Sequence, residues 1–115
     1  MRTSIWCTFQ VSGVHCWPGA PNYLQFPHRH LFHYRVEMSV WHDDREVEFI
    51  QWKDELAQFV RTEVLFDSVF MSCEQLAKNM ITHLLLVYGE RDYVVEVSED
   101  GENGAKVSRD SGTCR

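Results

Sequence analysis

The chain has 115 residues, of which 44% are hydrophobic and 24% are charged, an ordinary composition for one folded domain that argues against disorder. Its 11 Lys and Arg residues against 17 Asp and Glu residues give a net charge of −6, which argues against non-specific binding to nucleic acid or to an anionic membrane. No apolar run approaches the roughly 20 residues that span a bilayer, and residues 1–10 do not resemble a signal peptide.

The cysteines and histidines are unevenly placed. The four cysteines form no CxxC pair, and their spacing fits neither a zinc ribbon nor a disulfide-stapled secreted domain, so we expect reduced thiols in a cytoplasmic protein. Of the six histidines, four lie in the first third of the chain: His15, His28, His30 and His33.

The first part of the chain predicts two strands joined by a loop. Residues 3–12 are rich in β-branched and aromatic types, which favour a strand, and residues 13–25 contain the proline, glycine and asparagine residues of a long loop. Residues 28–42 alternate between two faces. One face begins with His28 and continues through aromatic to aliphatic residues.

Two helices are predicted to follow. From Val47 to Val64 the apolar residues fall at helical spacing and leave charged residues for solvent. Ser72 and Gln75 have the spacing of a capping box, in which each side chain bonds the other residue's backbone. They predict the start of a second helix, which Gly89 ends.

A hairpin is predicted near the C-terminus. Residues 93–98 alternate as a strand, Glu102-Asn103-Gly104 has the composition of a hairpin turn, and residues 105–109 form a short return strand before a flexible tail at 110–115. The element order is β-β-α-α-β-β. We therefore predict a single α+β domain over residues 1–115, with two hairpins and two consecutive helices.

The spacing of His28 and His30 indicates a metal site. Residues two apart on a strand project to the same side, so both imidazoles can bind one ion, and His15 at the far end of the loop can fold back as a third ligand. Three neutral imidazoles leave a fourth position open, and zinc suits this donor set best. The alternative is that these are ordinary surface and loop histidines. His33 points to the other face and is not an expected ligand.

The flanking sequence extends this pattern over nearly the whole chain. Several segments resemble, in the same order, those of the 6-pyruvoyltetrahydropterin and 6-carboxytetrahydropterin synthases: the first-strand segment Phe9–His15, the strand beginning His28-Arg29-His30, the pairs Glu48-Phe49 and Trp52-Lys53, the helix opening Met71–Ala77, and Glu99 after alternating valines. The resemblance implies the tunnelling fold, in which antiparallel sheets with two helices on one face pair into a barrel, usually as trimers stacked into hexamers.

The resemblance also implies a role for each site residue. Zinc is held by His15, His28 and His30, while Glu99 grips the N–H groups of a pterin or purine ring in a pocket between subunits. A carboxylate suits that task because it can accept two N–H bonds from a guanidine-like edge. The alternative is that Glu99 is only a solvated hairpin residue in an acidic run.

The catalytic residues of that family are only partly represented. Leu24 stands near the place of the family's catalytic cysteine, and the loop's one cysteine is Cys16. Asp67-Ser68 stands where the family has an Asp-His pair. Cys16 and Asp67 are therefore the candidate catalytic residues, with Cys16 or His33 left to transfer a proton.

Three functions follow from these residues. The first is a zinc-dependent synthase or lyase acting on a pterin- or purine-like small molecule. The second is a non-catalytic zinc protein that binds such a ring and has lost the synthase relay. The third is a structural oligomer in which the histidines only stabilise a loop.

Overall fold

The structure, a computed structural model, describes residues 1–66 and 70–112. Its elements follow the predicted α+β order: β1 (Thr3–His15), β2 (His28–Val40), α1 (Phe49–Phe59) continued by a π-helical turn (Val60–Val64), α2 (Cys73–Tyr88), β3 (Tyr93–Glu99) and β4 (Asn103–Arg109), with a short 3-10 turn (Tyr23–Gln25) between the first two strands. Asp67, Ser68 and residues 113–115 of the expected tail, which include Cys114, lie outside the described residues.

The four strands form one antiparallel sheet in the order β1-β2-β3-β4. The sequence predicted two hairpins, and β2 joins them because it pairs with β1 on one side and with β3 on the other. In this register the long strand β2 extends past the end of β3, so its residues 28–31 pair with β1 alone, and the β3–β4 turn contacts β2 at Leu31.

Both helices cover one face of this sheet. Helix α1 packs on β1, and α2 packs on β3 and β4. The enclosed core is apolar and draws on β1, β2, β3, both helices and the π-helical turn. Its largest fully buried side chains are Trp52, Tyr34, Tyr93, Phe32, Met38, Leu56, Leu76, Met80 and Leu84. Among the described residues, neither helix combines the length and hydrophobicity that crossing a membrane requires.

Strand β1 extends three residues beyond its predicted end, so Gly13 belongs to a strand and not to the loop. A Cβ atom at Gly13 would lie 3.1 Å from side-chain atoms of Leu65 and Phe32, so glycine lets these two side chains cover the strand closely. The loop prediction was therefore wrong at this end, and His15 is the last residue of β1.

The second hairpin turns at Asp100-Gly101, two residues before the predicted turn. Both residues have positive φ, 58° and 73°, as the two central positions of a type I′ hairpin turn require. The Glu102 N–H closes the turn by donating to the Glu99 carbonyl at 3.1 Å. Gly104 lies in β4, where a Cβ atom would overlap the backbone of β3.

The start of α1 and the end of β2 differ slightly from their predicted positions, whereas the start of α2 does not. Helix α1 begins at Phe49, because the Glu48 carboxylate caps it by accepting from the Gln51 N–H at 2.9 Å. The capping box of α2 is present as predicted, with Ser72 and Gln75 each bonding the other's backbone. Strand β2 ends at Val40, two residues before the predicted end.

A buried arginine fixes the segment between β2 and α1. Arg91 is 7% exposed and donates to the Glu46 carboxylate at 2.6 Å and to the carbonyls of Ser39 and Tyr88, both at 3.2 Å. Its guanidinium also lies 5.3 Å from the ring centre of Trp41. The hydrogen bond from Arg91 holds the pKa of Glu46 below its ordinary value.

We expect Glu46→Gln to lower the free energy of unfolding at pH 7 by about 1.5–3 kcal/mol, the usual worth of a hydrogen bond to a charged group. The pKa of Glu46 is lower in the folded state, so its ionised form stabilises the fold. This stabilisation is complete above the unfolded pKa of about 4.3 and is lost as the pH falls through the folded pKa. Denaturant unfolding between pH 7 and pH 3 should show the two proteins converging. Asp54→Asn, an exposed change on α1, should alter stability little, and a constant difference for Glu46→Gln at every pH would contradict this account.

Candidate metal centre

The three predicted metal ligands come together at one end of the sheet. In the β1–β2 register His15 lies directly opposite His28, and His30 follows two residues later on the same face. The ring centres are 4.5 Å apart for His15 and His28, 5.0 Å for His15 and His30, and 4.9 Å for His28 and His30. One nitrogen from each ring lies within 4.8 Å of the others, so the three side chains could hold a metal ion.

Strand pairing brings His15 to this place. The sequence predicts a loop histidine that folds back, whereas in the structure the β1–β2 ladder itself places His15 opposite His28. The buried positions of β1 alternate through Phe9, Val11, Gly13 and His15, so His15 continues the face that the helices cover. A histidine at a strand end therefore replaces the apolar residue expected there.

Each ring directs its Nδ1 atom to a hydrogen-bond acceptor. The Nδ1 of His15 lies 3.3 Å from the Met71 carbonyl oxygen, that of His28 lies 2.8 Å from the Phe26 carbonyl oxygen, and that of His30 lies 2.8 Å from Oδ2 of Asp100. Carbonyl and carboxylate oxygens only accept, so the proton of each neutral ring belongs on Nδ1. The Nε2 atoms are left with a free lone pair, which is the arrangement that supports histidine as a metal ligand.

The Nε2 atom of His30 is one of four buried side-chain polar atoms that have no hydrogen-bond partner among the described residues, and it is the one that lies at this site. Its nearest polar neighbour is Oε2 of Glu99, at 3.1 Å. Buried polar atoms in proteins are nearly always satisfied, so such an atom calls for an explanation. For metal–nitrogen bonds of about 2.0–2.1 Å the three nitrogens would approach one another to roughly 3.4 Å.

His15 is kept neutral by its surroundings. It is 8% exposed, and burial lowers its pKa, while the hydrogen bond to Met71 and the charge of Glu99 oppose that shift. A neutral ring is the form that binds a metal. The site therefore offers at least one imidazole that needs no deprotonation at neutral pH.

Glu99 lies beside the histidines. It is the last residue of β3, and its Oε2 atom is 3.1 Å from Nε2 of His30 while its Oε1 atom is 3.6 Å from Nε2 of His15. The first contact does not have the direction of a hydrogen bond. Its carboxylate thus faces the same space as the free ring nitrogens, next to a cleft.

The cleft has a volume of about 830 Å³ and lies between the histidine end of the sheet and the start of α2. Its walls combine acidic, aromatic and backbone groups. They include Glu99, Glu74, Trp17, Leu24, Phe70, Met71 and the first residues of α2. This is a cavity of the size that takes a small organic molecule.

Two cysteines line this cleft, one predicted and one missed. Cys16 is buried directly after β1, as expected for a residue beside His15. Cys73, the first residue of α2, has its Sγ atom 4.0 Å from Oε1 of Glu99. Burial, followed by the charge of Glu99, raises the pKa of Cys73 to about 11, so it is a thiol at neutral pH and a poor nucleophile.

The remaining predicted residues do not join the site. His33 lies on the opposite face of the sheet, where it lines a shallow surface with Gln10 and Arg35. Asp67 lies outside the described residues.

Asp100 belongs to the site but was not predicted from the sequence. It is a turn residue that accepts hydrogen bonds from the Leu31 N–H and from His30, and these bonds lower its pKa. The Asp-Gly turn pair was its only local signal.

No protein-family model matches the chain, and no curated protein matches it. The function is therefore inferred from the residues of the site itself.

We expect purified protein that has been incubated with zinc to bind about one zinc ion per chain. His28→Ala or His30→Ala should weaken zinc binding strongly, because each change removes one of the three imidazole ligands. Metal analysis after dialysis measures this directly.

His33→Ala is the matched control and should retain its zinc, since its ring lies on the other face of the sheet. Full zinc content in a double variant lacking both His28 and His30 would show that the ion binds elsewhere.

Proposed function

We propose that the chain is a zinc-dependent enzyme of the 6-pyruvoyltetrahydropterin synthase type, a lyase or synthase that acts on a pterin- or purine-like small molecule. One observation supports the proposal: three histidines share a face and direct their Nδ1 atoms to acceptors, beside a cleft that His15, His28 and Glu99 line. The same residues carry the resemblance in the sequence.

The choice of zinc follows from the donor set. Imidazole nitrogens suit zinc, and a site with three of them leaves a coordination position open for substrate or water. A bound zinc ion would polarise a substrate oxygen or lower the pKa of a water molecule. The residues of the chain would keep His15 neutral and, through the acceptors of their Nδ1 atoms, would present the Nε2 atoms of the three rings to the ion.

The ring-binding role is assigned to Glu99. Its side chain is 32% exposed, so the carboxylate is reachable from the cleft while still partly desolvated. Such a group accepts paired N–H donors from a guanidine-like ring edge, in a charge-assisted contact. Trp17, Leu24 and Phe70 add apolar surface on which the faces of a planar ring can pack.

A second function, a non-catalytic zinc protein that binds the same ring, is favoured by the state of the cysteines. A proton relay needs a base or nucleophile tuned to neutral pH, and the raised pKa of Cys73 removes it from that role. His33 faces away from the cleft, which leaves Cys16 as the candidate within the described residues. Turnover of a pterin substrate by the zinc-loaded protein separates the two functions, and Cys16→Ser should abolish turnover if Cys16 acts as nucleophile or base.

A cytoplasmic location belongs to the same proposal. Cys7, Cys16 and Cys73 are all buried free thiols, a state typical of a reducing compartment.

Glu99→Gln should weaken ring binding by about tenfold to a hundredfold. The variant keeps the shape of the side chain but loses the charge and one acceptor, and charge-assisted hydrogen bonds are worth roughly 1.5–3 kcal/mol. Calorimetry with pterins and guanine derivatives on the zinc-loaded protein measures the change.

Glu102→Gln is the control, because Glu102 belongs to the same acidic run and is exposed. Equal affinities for the two variants would contradict the anchoring role. Loss of zinc from Glu99→Gln would instead make Glu99 a metal ligand, which its short distances to the two ring nitrogens would then explain.

Assembly into a trimer or hexamer is also proposed. Within the described residues, the edge strands β1 and β4 each pair with one neighbour, and β1 is 13 residues long. Long edges of this kind favour pairing with another chain, which a closed barrel of subunits would satisfy. Light scattering at micromolar concentration should give a mass of three or six chains, and a stable monomer would rule out both the barrel and a pocket between subunits.

A further inference from the structure

Asp100 is held rigidly beside one of the three histidines. It occupies the first central position of the β3–β4 turn at φ 58°, a conformation that aspartate tolerates better than most residues. Its N–H donates to the Leu31 carbonyl at 2.8 Å, and its Oδ1 accepts from the Leu31 N–H at 2.9 Å. Backbone and side chain together thus attach the turn to β2 at the residue next to His30.

The second carboxylate oxygen reaches the histidine itself. Oδ2 of Asp100 lies 2.8 Å from Nδ1 of His30, on the ring edge opposite the unpartnered Nε2. His15 and His28 make the corresponding contact to neutral backbone carbonyls, of Met71 and Phe26. His30 therefore differs from the other two in having a carboxylate, not a backbone carbonyl, as the partner of its Nδ1 atom.

We propose that Asp100 is a positioning residue that fixes the proton of His30 on Nδ1 and so makes Nε2 of His30 the metal-binding atom. This inference rests on the metal site of the proposed function and adds a group that acts through His30 without touching the ion. A carboxylate behind a ligating imidazole holds the ring's orientation and tautomer and raises its basicity, and loss of such a partner usually costs 10–100-fold in metal affinity.

Asp100→Asn separates this role from the folding of the turn. Asparagine accepts the same positive φ, so the hairpin is retained. The amide oxygen will remain with the Leu31 N–H, because turning it toward His30 would place the amide NH₂ against that backbone donor. The NH₂ group then faces Nδ1 of His30, which must become an acceptor, so the ring proton moves to Nε2 and blocks the lone pair that a metal needs.

The experiment has two readouts on the full chain. Long-range ¹H–¹⁵N NMR of the metal-free protein reports the tautomer of His30, and competition with a chromophoric chelator measures the affinity for zinc. We expect Nδ1–H in the unsubstituted protein, a shift toward Nε2–H in Asp100→Asn, and a zinc affinity about 10–100-fold lower in that variant. Glu102→Gln removes one negative charge from the exposed neighbour in the same turn and should change neither readout.

The outcomes distinguish this inference from the metal site on which it rests. Equal zinc affinity and an unchanged tautomer in Asp100→Asn would overturn the role of Asp100 and leave the three-histidine site intact. Absence of zinc binding in the unsubstituted protein, with the tautomer still set by Asp100, would instead refute the metal site. An Nε2–H tautomer of His30 in the unsubstituted protein would overturn the inference even if the variant failed to fold.

Discussion

The candidate site depends on the pairing of β1 with β2. In that register the last residue of one strand lies opposite the first residue of the other, so His15 and His28 meet across the ladder and His30 lies on the same face. A shift of one residue would turn these side chains to the other face of the sheet. Gly13 lies within this ladder opposite His30, and a side chain there would crowd Leu65 and Phe32, at 3.1 Å from a Cβ atom.

Three separate segments then orient the rings. The loop before β2 supplies the Phe26 carbonyl, the segment entering α2 supplies the Met71 carbonyl, and the β3–β4 turn supplies Asp100. None of these acceptors is available until its segment has reached its folded position. Binding of a metal at this site would therefore favour the folded state of the whole histidine end of the sheet, since an ion that binds only the native form stabilises it.

The sequence predicted those features that local patterns encode. Strand alternation and the capping box of Ser72 and Gln75 predicted the order of the elements. The two-residue spacing of His28 and His30 predicted that their side chains share one face of a strand. Element ends were less predictable because tertiary contacts decide them. Gly13 has the local character of a loop residue, yet its pairing with His30 across the β1–β2 ladder places it in a strand.

The surroundings of the histidines could not be predicted in the same way. The contact from His15 to Met71 spans 56 residues and that from His30 to Asp100 spans 70, so no local pattern links the partners. Two turn-forming pairs, Asp100-Gly101 and Asn103-Gly104, lie near the C-terminus, and the β3–β4 register, with Glu99 opposite Asn103, puts the first of them in the turn. That choice also brings Asp100 to His30.

The central claim is that three imidazole Nε2 atoms hold a metal ion at the wall of the cleft. Zinc K-edge X-ray absorption of the protein loaded with one equivalent of zinc tests it most directly. The account predicts three imidazole nitrogens at about 2.0–2.1 Å, with the rest of the shell made of oxygen. A sulfur atom at about 2.3 Å would instead assign a ligand role to Cys16 or Cys73, and a spectrum of hydrated zinc without imidazole scattering would contradict the site altogether.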